Sequence, residues 1–324
     1  MARSLSSREK THHCSGAPPA SNARSWQSPP QEASIATASS RQTTRTLILT
    51  SVAILCFSAN SILCRLALAP DLIDPATFTG VRIVSAAALL SVGVLLKSRH
   101  LPRLARANPR SVAAIFLYLV LFSFAYTRVG AGTGALILIA GVQLTMCGIG
   151  LLQGERFSIL SWTGFGVAVA GVLYLLLPGA TAPDPLGAAL MAMSGAAFGL
   201  FTLFARGVGD PEEANAVNML WCVLPALLVN LAWLGDVHAS PAGLALGIAS
   251  GALATGLGYI VWYVALQHLS ATHAATVQLS MPAIVALGGV VFLDEPLTIR
   301  LLIASAAMLG GVALVMTQRA SDRG

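Results

Sequence analysis

The sequence predicts an all-α membrane protein whose ten transmembrane helices form two inverted five-helix repeats. Three observations lead to this prediction. First, 56% of the 324 residues are hydrophobic and only 10% are charged, whereas soluble domains carry about 25% charged residues. Second, apolar runs of roughly 20 residues, the length that spans a bilayer, recur from Thr46 to Met316. Third, the second half of the chain repeats the helix-and-link pattern of the first half.

Turn residues and charged links divide the apolar part of the chain into candidate spans. Examples are the link "KSRHLPRLARANPR" at 97–110 and the link "GVGDPEEAN" at 207–215. Proline, glycine and clustered charges end helices, so these links are expected at the membrane surface. The predicted spans are 46–65, 76–96, 110–127, 131–152, 158–177, 185–205, 214–234, 241–267, 272–292 and 298–317.

The first residues differ from the rest of the chain. Residues 1–44 are rich in Ser, Arg, Gln, Thr and Pro and lack apolar periodicity, so we predict a disordered cytoplasmic tail there. No short apolar core with a cleavage site precedes the first long run, so a secretory signal is not predicted. We then expect one five-helix repeat at 45–180, a second at 181–318 and a cytoplasmic C-terminal tail at 319–324.

Lysine and arginine residues set the predicted orientation. With the N-terminus in the cytoplasm, the outer links contain only Arg65, Arg128 and Arg300, and the inner links contain many more basic residues. Basic residues concentrate on the cytoplasmic side, so we predict a multi-pass membrane protein with both termini in the cytoplasm. This distribution explains the net charge of +6 without a nucleic-acid partner. The expected partners are the lipid bilayer and a small-molecule substrate, and the sequence is compatible with a monomer or a homodimer.

The internal repeat appears when Glu155 is placed on Glu295, a shift of 140 residues. Because each copy has five helices, the second enters the membrane from the opposite side. Glu155 should then face the cytoplasm and Glu295 the exterior. Inverted repeats of this kind underlie many secondary transporters, whose substrate site lies near the midplane between the halves. Residues that match under the shift include Ala135 and Ala275, Gly148 and Gly288, Gly171 and Gly311, and Val172 and Val312.

Acidic residues interrupt the apolar pattern at corresponding places in the two halves. Glu155 precedes the predicted fifth helix, and Asp294 and Glu295 precede the predicted tenth helix. Carboxylates there would meet exposed backbone N–H groups and the positive end of the helix dipole. Pro296 suits the first turn, where its missing N–H has no helical partner. We therefore interpret these residues as helix-end structure, with a role in proton coupling as the alternative.

These features resemble the EamA-type branch of the drug/metabolite transporter superfamily. The resemblance is carried by the paired links "QGERFS" and "LDEPLT", by the glycine-rich helices "VAVAGVLYL" and "AAMLGGVALVM" that follow them, and by "AILCFSANSILCRLAL" and "FTGVRIVSAAALL" in the first two spans. It covers about residues 46–317. The resemblance implies an inner-membrane carrier with alternating access, of a kind that often exports amino acids, other metabolites or toxic compounds.

Arg82 is the one permanent charge placed well inside a predicted span, about seven residues from Pro75. A buried arginine is costly and tends to face the protein interior or a watery cavity. One interpretation is a contact with an anionic substrate group. The alternative is an arginine that extends towards Asp71 or Asp74 at the surface.

Uncharged polar and aromatic residues supply the other candidate substrate contacts. Gln143 and Gln278 are the leading candidates because they occupy corresponding helices of the two halves. The alternative for any one of the amides is to hold neighbouring helices together. The remaining predicted substrate-binding residues are Asn60, Tyr259, Trp262 and Tyr263.

No acidic residue lies within a predicted span, so His268 and His273, beside the spans of the second half, are the candidates for ion coupling. Two interfacial histidines at a helix turn are the alternative. No nucleophile–His–acid order, metal-ligand cluster or phosphate-binding glycine loop is found, so no catalytic residue, metal or cofactor is predicted. The leading function is a secondary transporter, with a lipid-modifying membrane enzyme or a non-transporting scaffold as alternatives.

Overall fold

The computed structural model describes residues 31–153, 158–179, 182–205, 208–269 and 277–321. In that part of the chain the main elements are helices. One isolated β-bridge pairs Ile73 with Ala239. They are α1 (Gln31–Leu68), α2 (Pro75–Ser98), α3 (Pro109–Tyr126), α4 (Ala131–Leu152), α5 (Ile159–Leu176), α6 (Pro185–Phe204), α7 (Pro211–Ala232), α8 (Pro241–Ile248), the π-helix π1 (Ala249–Leu257), α9 (Gly258–Leu266), α10 (Met281–Leu293) and α11 (Ile299–Ser321).

Eight helices of the described part are long and apolar enough to cross a membrane. The eighth is the continuous segment Pro241–Ala265, which is built from α8, π1 and α9. Two shorter apolar helices, Met281–Leu293 and Ile299–Leu314, follow it. The prediction of an all-α membrane protein with ten helices is confirmed.

Several helices begin with the same N-terminal motif, a capping side chain followed by a proline. A proline stands in the first turn of α2, α3, α6, α7 and α8, where its missing N–H has no helical partner. The preceding residue caps the free N–H groups with its side chain, as the Asp74 carboxylate does for Ala76 and Thr77. The other caps are Asn108, Asp184, Asp210 and Ser240.

The first helix begins earlier than predicted. It starts at Gln31, although the tail was expected to extend to residue 44. No glycine or proline occurs between Pro30 and Pro70, so nothing in the sequence interrupts a helix before Pro70. Residues 1–30 lie outside the described part, and the disordered tail stays a prediction there.

The ninth predicted span, 272–292, differs most from the structure. Its described helix is α10, which starts at Met281 after turn residues Leu279 and Ser280. Pro282 accounts for this start, because a proline in a helix interior removes a hydrogen bond and clashes with the preceding turn. The break leaves Gln278 and Leu279 beside the end of a helix.

Gly171 in α5 and Gly311 in α11, which the repeat makes equivalent, lie at one crossing of these two helices. A Cβ atom on Gly171 would lie 2.9 Å from the Ala307 Cβ, so the backbones approach closely. The backbone neighbours of the two glycines also correspond under the shift of 140 residues: Ala304 and Met308 beside Gly171, and Gly164 and Ala168 beside Gly311. The same contact is made once by each repeat, as an approximate two-fold relation requires.

The bundle has two ends, which we name after a glutamate at each. The Glu295 end contains the last residues of α1 and α3 and the first residues of α4, because Arg65, Tyr126 and Ala131 meet there around Glu295. The Glu213 end contains the end of α2 and the start of α7, where Lys97 pairs with Glu212.

The helix-end interpretation of the acidic residues is only partly matched. The last helix begins at Ile299, where the Thr298 hydroxyl accepts a hydrogen bond from the Leu301 N–H. Asp294 instead ends α10 in a left-handed conformation. Glu295 accepts from the N–H of Ala131, so it caps α4 rather than the last helix. Pro296 consequently precedes the helix instead of occupying its first turn, and Glu155 lies outside the described residues.

Candidate functional site: a central cavity

A cavity of about 590 Å³ lies within the helix bundle. In the described part of the chain, all the helices except α2 and α8 contribute to its wall. Pockets that bind small molecules typically have volumes of about 300–1,000 Å³. The cavity therefore has the size of a site for a small metabolite.

Five of the predicted substrate-binding residues line this one cavity: Asn60, Gln143, Tyr259, Trp262 and Gln278. They come from α1, α4, α9 and the residues before α10. The repeat places Gln143 and Gln278 in corresponding helices, and the fold brings both amides to the same space. Helix symmetry is thus the physical reason that two residues 135 positions apart share a wall.

Aromatic rings form much of the wall. The Tyr118 ring lies 4.8 Å from the Phe198 ring and 5.4 Å from the Phe122 ring, measured between centroids. Phe57 lies edge-on to Tyr259 at 5.4 Å. Such pairs hold each other in place, so the wall offers a substrate fixed flat surfaces.

The cavity wall is uncharged in the described part of the chain. Its lining contains no Asp, Glu, Lys, Arg or His side chain. The polar groups that can orient a ligand are amides, hydroxyls and a thiol, and in α1 and α6 these include Asn60, Ser61 and Thr202. Methionines, which adapt their shape to irregular neighbours, supply part of the apolar surface: Met146, Met219, Met281 and Met308.

Two irregular segments adjoin the cavity, and both belong to the second repeat. In π1, Ala254 and Thr255 line the cavity, and the Thr255 hydroxyl donates to the carbonyl of Ser250. At the break before α10, Gln278 and Leu279 line it. π-Helical turns and discontinuous helices are frequent at functional sites. Both irregularities therefore support the cavity as the functional site.

Close packing against α2 fixes the position of π1. A Cβ atom on Gly251 would collide with Ser85 and with the carbonyl of Arg82. Gly247, one turn earlier, faces Val81 of the same helix. Only residues without side chains allow the two backbones to come this close.

Arg82 is completely buried and is absent from the lining of the cavity. Its Nη2 donates to the Leu119 carbonyl at 2.8 Å, and its Nη1 donates to the Cys64 sulfur at 3.3 Å. The guanidinium carbon lies 5.0 Å from the centre of the Phe122 ring, which does line the cavity. Arg82 thus lies one layer behind the wall, which corrects the expectation of a direct substrate contact.

The alternative expectation for Arg82 is not met either. Asp74 uses its carboxylate to cap α2, and Asp71 pairs with His238. Arg82 therefore does not extend towards these two residues. Its guanidinium is buried and bonds to the Leu119 carbonyl and the Cys64 sulfur instead of forming a surface ion pair.

Tyr263 lies behind the wall too. Its ring stacks on Tyr259 with the centroids 5.9 Å apart, and its hydroxyl accepts a hydrogen bond from Asn215 at 3.3 Å. It lines a separate small cavity of about 70 Å³ near the Glu213 end. Tyr263 therefore supports Tyr259 from behind instead of joining it in the wall.

The two candidate coupling residues lie apart from the described cavity. His268 is exposed just after the end of α9 and does not line the cavity. His273 lies outside the described residues. An ion-coupling role for either histidine stays a prediction.

Sequence reasoning did not single out several wall residues. Ser61, Thr202 and Thr255 are short hydroxyl side chains in apolar helices, and such residues more often bond to their own helix. Tyr118 and Phe122 stand one turn apart in α3. That spacing in an aromatic pair could have indicated one face of α3, although not which neighbour it meets.

Comparisons with known proteins agree with this architecture. The model of the EamA-like transporter family matches residues 44–177 and again 185–317. An uncharacterized protein of Pseudomonas aeruginosa is 49% identical over 276 residues, covering 85% of this chain and 96% of that protein. The uncharacterized transporter YwfM of Bacillus subtilis is 26% identical over 259 residues, covering 77% of this chain and 86% of that protein.

A solved crystal structure shares the fold, with a TM-score of 0.61 at 18% sequence identity. The match covers 85% of this chain and 98% of the other. Two family matches, one per repeat, account for nearly all of the helical part of the chain. The chain is a multi-pass membrane protein and belongs to the EamA-like transporter family.

Proposed function

We propose that this protein is a secondary carrier that exports amino acids or similar small metabolites with an apolar side group. The central observation is the cavity of about 590 Å³ between the two repeats, whose wall, as far as the described residues form it, is uncharged and contains amide groups and aromatic rings. Amides bind polar groups, and rings bind apolar or aromatic parts of a ligand. An amino acid with a large apolar side chain carries both kinds of group.

The position of the cavity supports alternating access. Its lining reaches Thr202, two residues before the end of α6 at Phe204, which leads to the Glu213 end. In α4 the lining starts only at Leu138, seven residues or roughly 10 Å from Ala131 at the Glu295 end. A carrier that alternates would open each end in turn. We infer that the described conformation is one in which the Glu295 end is closed.

Transport by reconstituted vesicles tests this function. Purified protein in liposomes should accumulate at least one of leucine, methionine, phenylalanine and tryptophan faster than protein-free liposomes. Gln143→Ala and Gln278→Ala should each reduce that rate about ten- to hundredfold, the loss expected when a hydrogen bond to a charged group is removed. Vesicles that accumulate none of the four would overturn the proposal and return attention to the enzyme and scaffold alternatives.

Gln153→Ala is the matched control for these variants. Gln153 lies at the end of the same helix as Gln143, is exposed and is not part of the cavity wall. Its removal changes the same chemical group without touching the site. Transport by this variant should equal that of the parent protein.

We place the protein in the inner membrane with both termini in the cytoplasm and the Glu295 end outside. The excess of basic residues at the Glu213 end supports this orientation. Single cysteines at Asp236 and at Arg103, in a cysteine-free background, test it. An impermeant thiol reagent added outside cells should label the first and spare the second, and the reverse pattern would contradict the orientation.

Coupling to protons would assign a role to His268 or His273. Export driven by a pH gradient should then become insensitive to that gradient when either histidine is replaced by glutamine. Unchanged gradient dependence in both variants would remove them as coupling residues.

A further inference from the structure

Arg82 carries a buried positive charge that has no carboxylate partner among the described residues. Its side chain is completely buried, and none of the ion pairs formed in the described part of the chain includes it. Its Nε atom is buried and has no hydrogen-bond partner there. Burying a charge without a partner of opposite sign is unfavourable. Within the described residues, this charge beside the cavity meets only neutral groups, which include the rings of Phe78 and Phe122.

Hydrogen bonds connect this charge to the cavity wall. Arg82 Nη1 donates to Cys64 Sγ at 3.3 Å, and Cys64 Sγ lies 3.8 Å from Ser250 Oγ. The Ser250 hydroxyl donates to Asn60 Oδ1 at 2.7 Å. Asn60 lines the cavity. This series of hydrogen bonds thus leads from the guanidinium on α2 through Cys64 of α1 and Ser250 of π1 to the wall residue Asn60.

The direction of the middle hydrogen bond follows from the two bonds beside it, in which Arg82 donates to Cys64 and Ser250 donates to Asn60. A guanidinium group can only donate, so the Cys64 sulfur is the acceptor of the first bond. The Ser250 proton is used towards Asn60, so the Cys64 thiol must donate to Ser250. Asn60 accepts through its oxygen and keeps its NH₂ group for the cavity. All donors therefore point from Arg82 towards the cavity, and hydrogen bonds aligned in this way polarise one another.

We propose that Arg82 makes the carrier selective for substrates with a carboxylate, acting through Cys64, Ser250 and Asn60 without touching the substrate. The Asn60 NH₂ group receives the carboxylate, and the buried charge strengthens this donor. Arg82 is thus a specificity-determining residue behind the wall. This inference rests on the proposed transport function and adds the substrate group that the cavity recognises.

The unmodified protein gives the first test. The amino acid that the vesicles transport best should be preferred over its own amide, which lacks the carboxylate, by at least about tenfold, equivalent to 1.4 kcal/mol. Equal transport of the acid and the amide would overturn the inference and leave the transport function intact. Failure to transport any amino acid would overturn the transport function, and the inference with it.

Substitutions at Cys64 provide the sharper test, because two of them differ only in charge. Cys64→Asp places a carboxylate beside the guanidinium and neutralises the charge without removing Arg82. Cys64→Asn has the same shape and leaves the charge uncompensated. The acid preference should fall to within about threefold of unity in Cys64→Asp, as in Arg82→Gln, and persist in Cys64→Asn. An equal preference in the Asp and Asn variants would refute the electrostatic role.

Ser250→Ala separates the hydrogen-bond chain from the charge itself. This variant removes the link between Cys64 and Asn60 and keeps Arg82 in place. The acid preference should decrease about threefold or more, with membrane abundance unchanged. If Arg82→Gln and Cys64→Asp fail to accumulate, Ser250→Ala decides: an unchanged preference contradicts the proposal, and a reduced one supports it.

Discussion

The two ends of the bundle both contain ion pairs, but the pairs connect different parts of the molecule. At the Glu295 end, Glu295 joins Arg65 of α1 to the first N–H group of α4, and Arg65 also donates to the Tyr126 carbonyl of α3. These three helices all contribute to the cavity wall. At the Glu213 end, Lys97 joins α2 to α7, and α2 contributes no described residue to the wall.

Exposure distinguishes the Arg65–Glu295 pair from the pairs at the Glu213 end, and also from the more exposed pairs Arg128–Asp184 and His238–Asp71. The side chains of Arg65 and Glu295 are 19% and 21% exposed, whereas Lys97 and Arg106 are 54% and 61% exposed. Ion pairs with an exposed cation contribute little, because solvent and salt screen them. From this comparison we predict that the Glu295 pair holds one end of the cavity closed, while the pairs at the Glu213 end connect α2 and its following link to α7.

The largest effect is expected from Glu295→Gln. This substitution weakens two charge-assisted hydrogen bonds, which are worth about 1.5–3 kcal/mol each, and should favour opening at this end. A cysteine introduced at Ser61 in the cavity wall of a cysteine-free protein should then react with an impermeant thiol reagent, added at the Glu295 side, about tenfold faster. The matched variant at the other end, Glu213→Gln, should leave this rate unchanged. Equal acceleration by both variants would remove the distinction between the ends.

A smaller difference is expected when Arg65→Gln is combined with Glu295→Gln. If the two side chains act through one ion pair, the double variant should label little faster than the Glu295 variant alone, because the interaction can be lost only once. The same Ser61 labelling rate measures this. Additive rates would mean that Arg65 holds the end closed through the Tyr126 carbonyl instead.

Lys97→Gln should have a weak effect. Its bond to Glu212 is 2.8 Å long but half-exposed, and such pairs contribute about 0.2–1 kcal/mol. We expect thermal stability in detergent to decrease slightly and transport to stay within about twofold of the parent rate. A roughly tenfold or greater loss of transport would contradict the interpretation that this pair only connects α2 to α7.

The smallest effect concerns pH and the surface of the Glu295 end. The hydrogen bond to the Asp236 carbonyl and the nearby carboxylate of Asp71 raise the pKa of His238 above its usual 6.5. Because the folded-state pKa is raised, the stabilisation is complete below about pH 6.5 and is lost as pH rises through the folded value. Thermal stability should therefore fall slightly between pH 6 and pH 9, and His238→Gln should reduce this slope. An identical slope in the variant would show that other groups dominate.

Much of the helical architecture follows from the sequence, because span length is set by bilayer thickness and most links are marked by charge or proline. The repeat also predicted that Gln143 and Gln278 share one region, since symmetry relates whole helices. The break before α10 was visible in principle as Pro282, an interior proline in an apolar run. The predicted span nevertheless ran through it, because spanning helices tolerate proline.

Other features depend on contacts that no local pattern encodes. Arg82 lies behind the wall because of the rotation of α2, which the packing of Gly251 against its backbone fixes. Glu295 caps a helix that begins 164 residues earlier in the chain. π1 packs against α2 through Gly251, a contact between residues far apart in the chain. Each of these requires the tertiary partner to be known first.

The crossing of α5 and α11 has a consequence for how the molecule responds to substitution. Its two glycines meet matching neighbours, so the contact has the self-complementary form of an isologous interface, although both sides belong to one polypeptide. In a symmetric dimer, one codon change would alter such an interface twice. Here Gly171 and Gly311 are separate positions of one chain, so a substitution at either changes only one side of the contact and makes the two repeats less alike there.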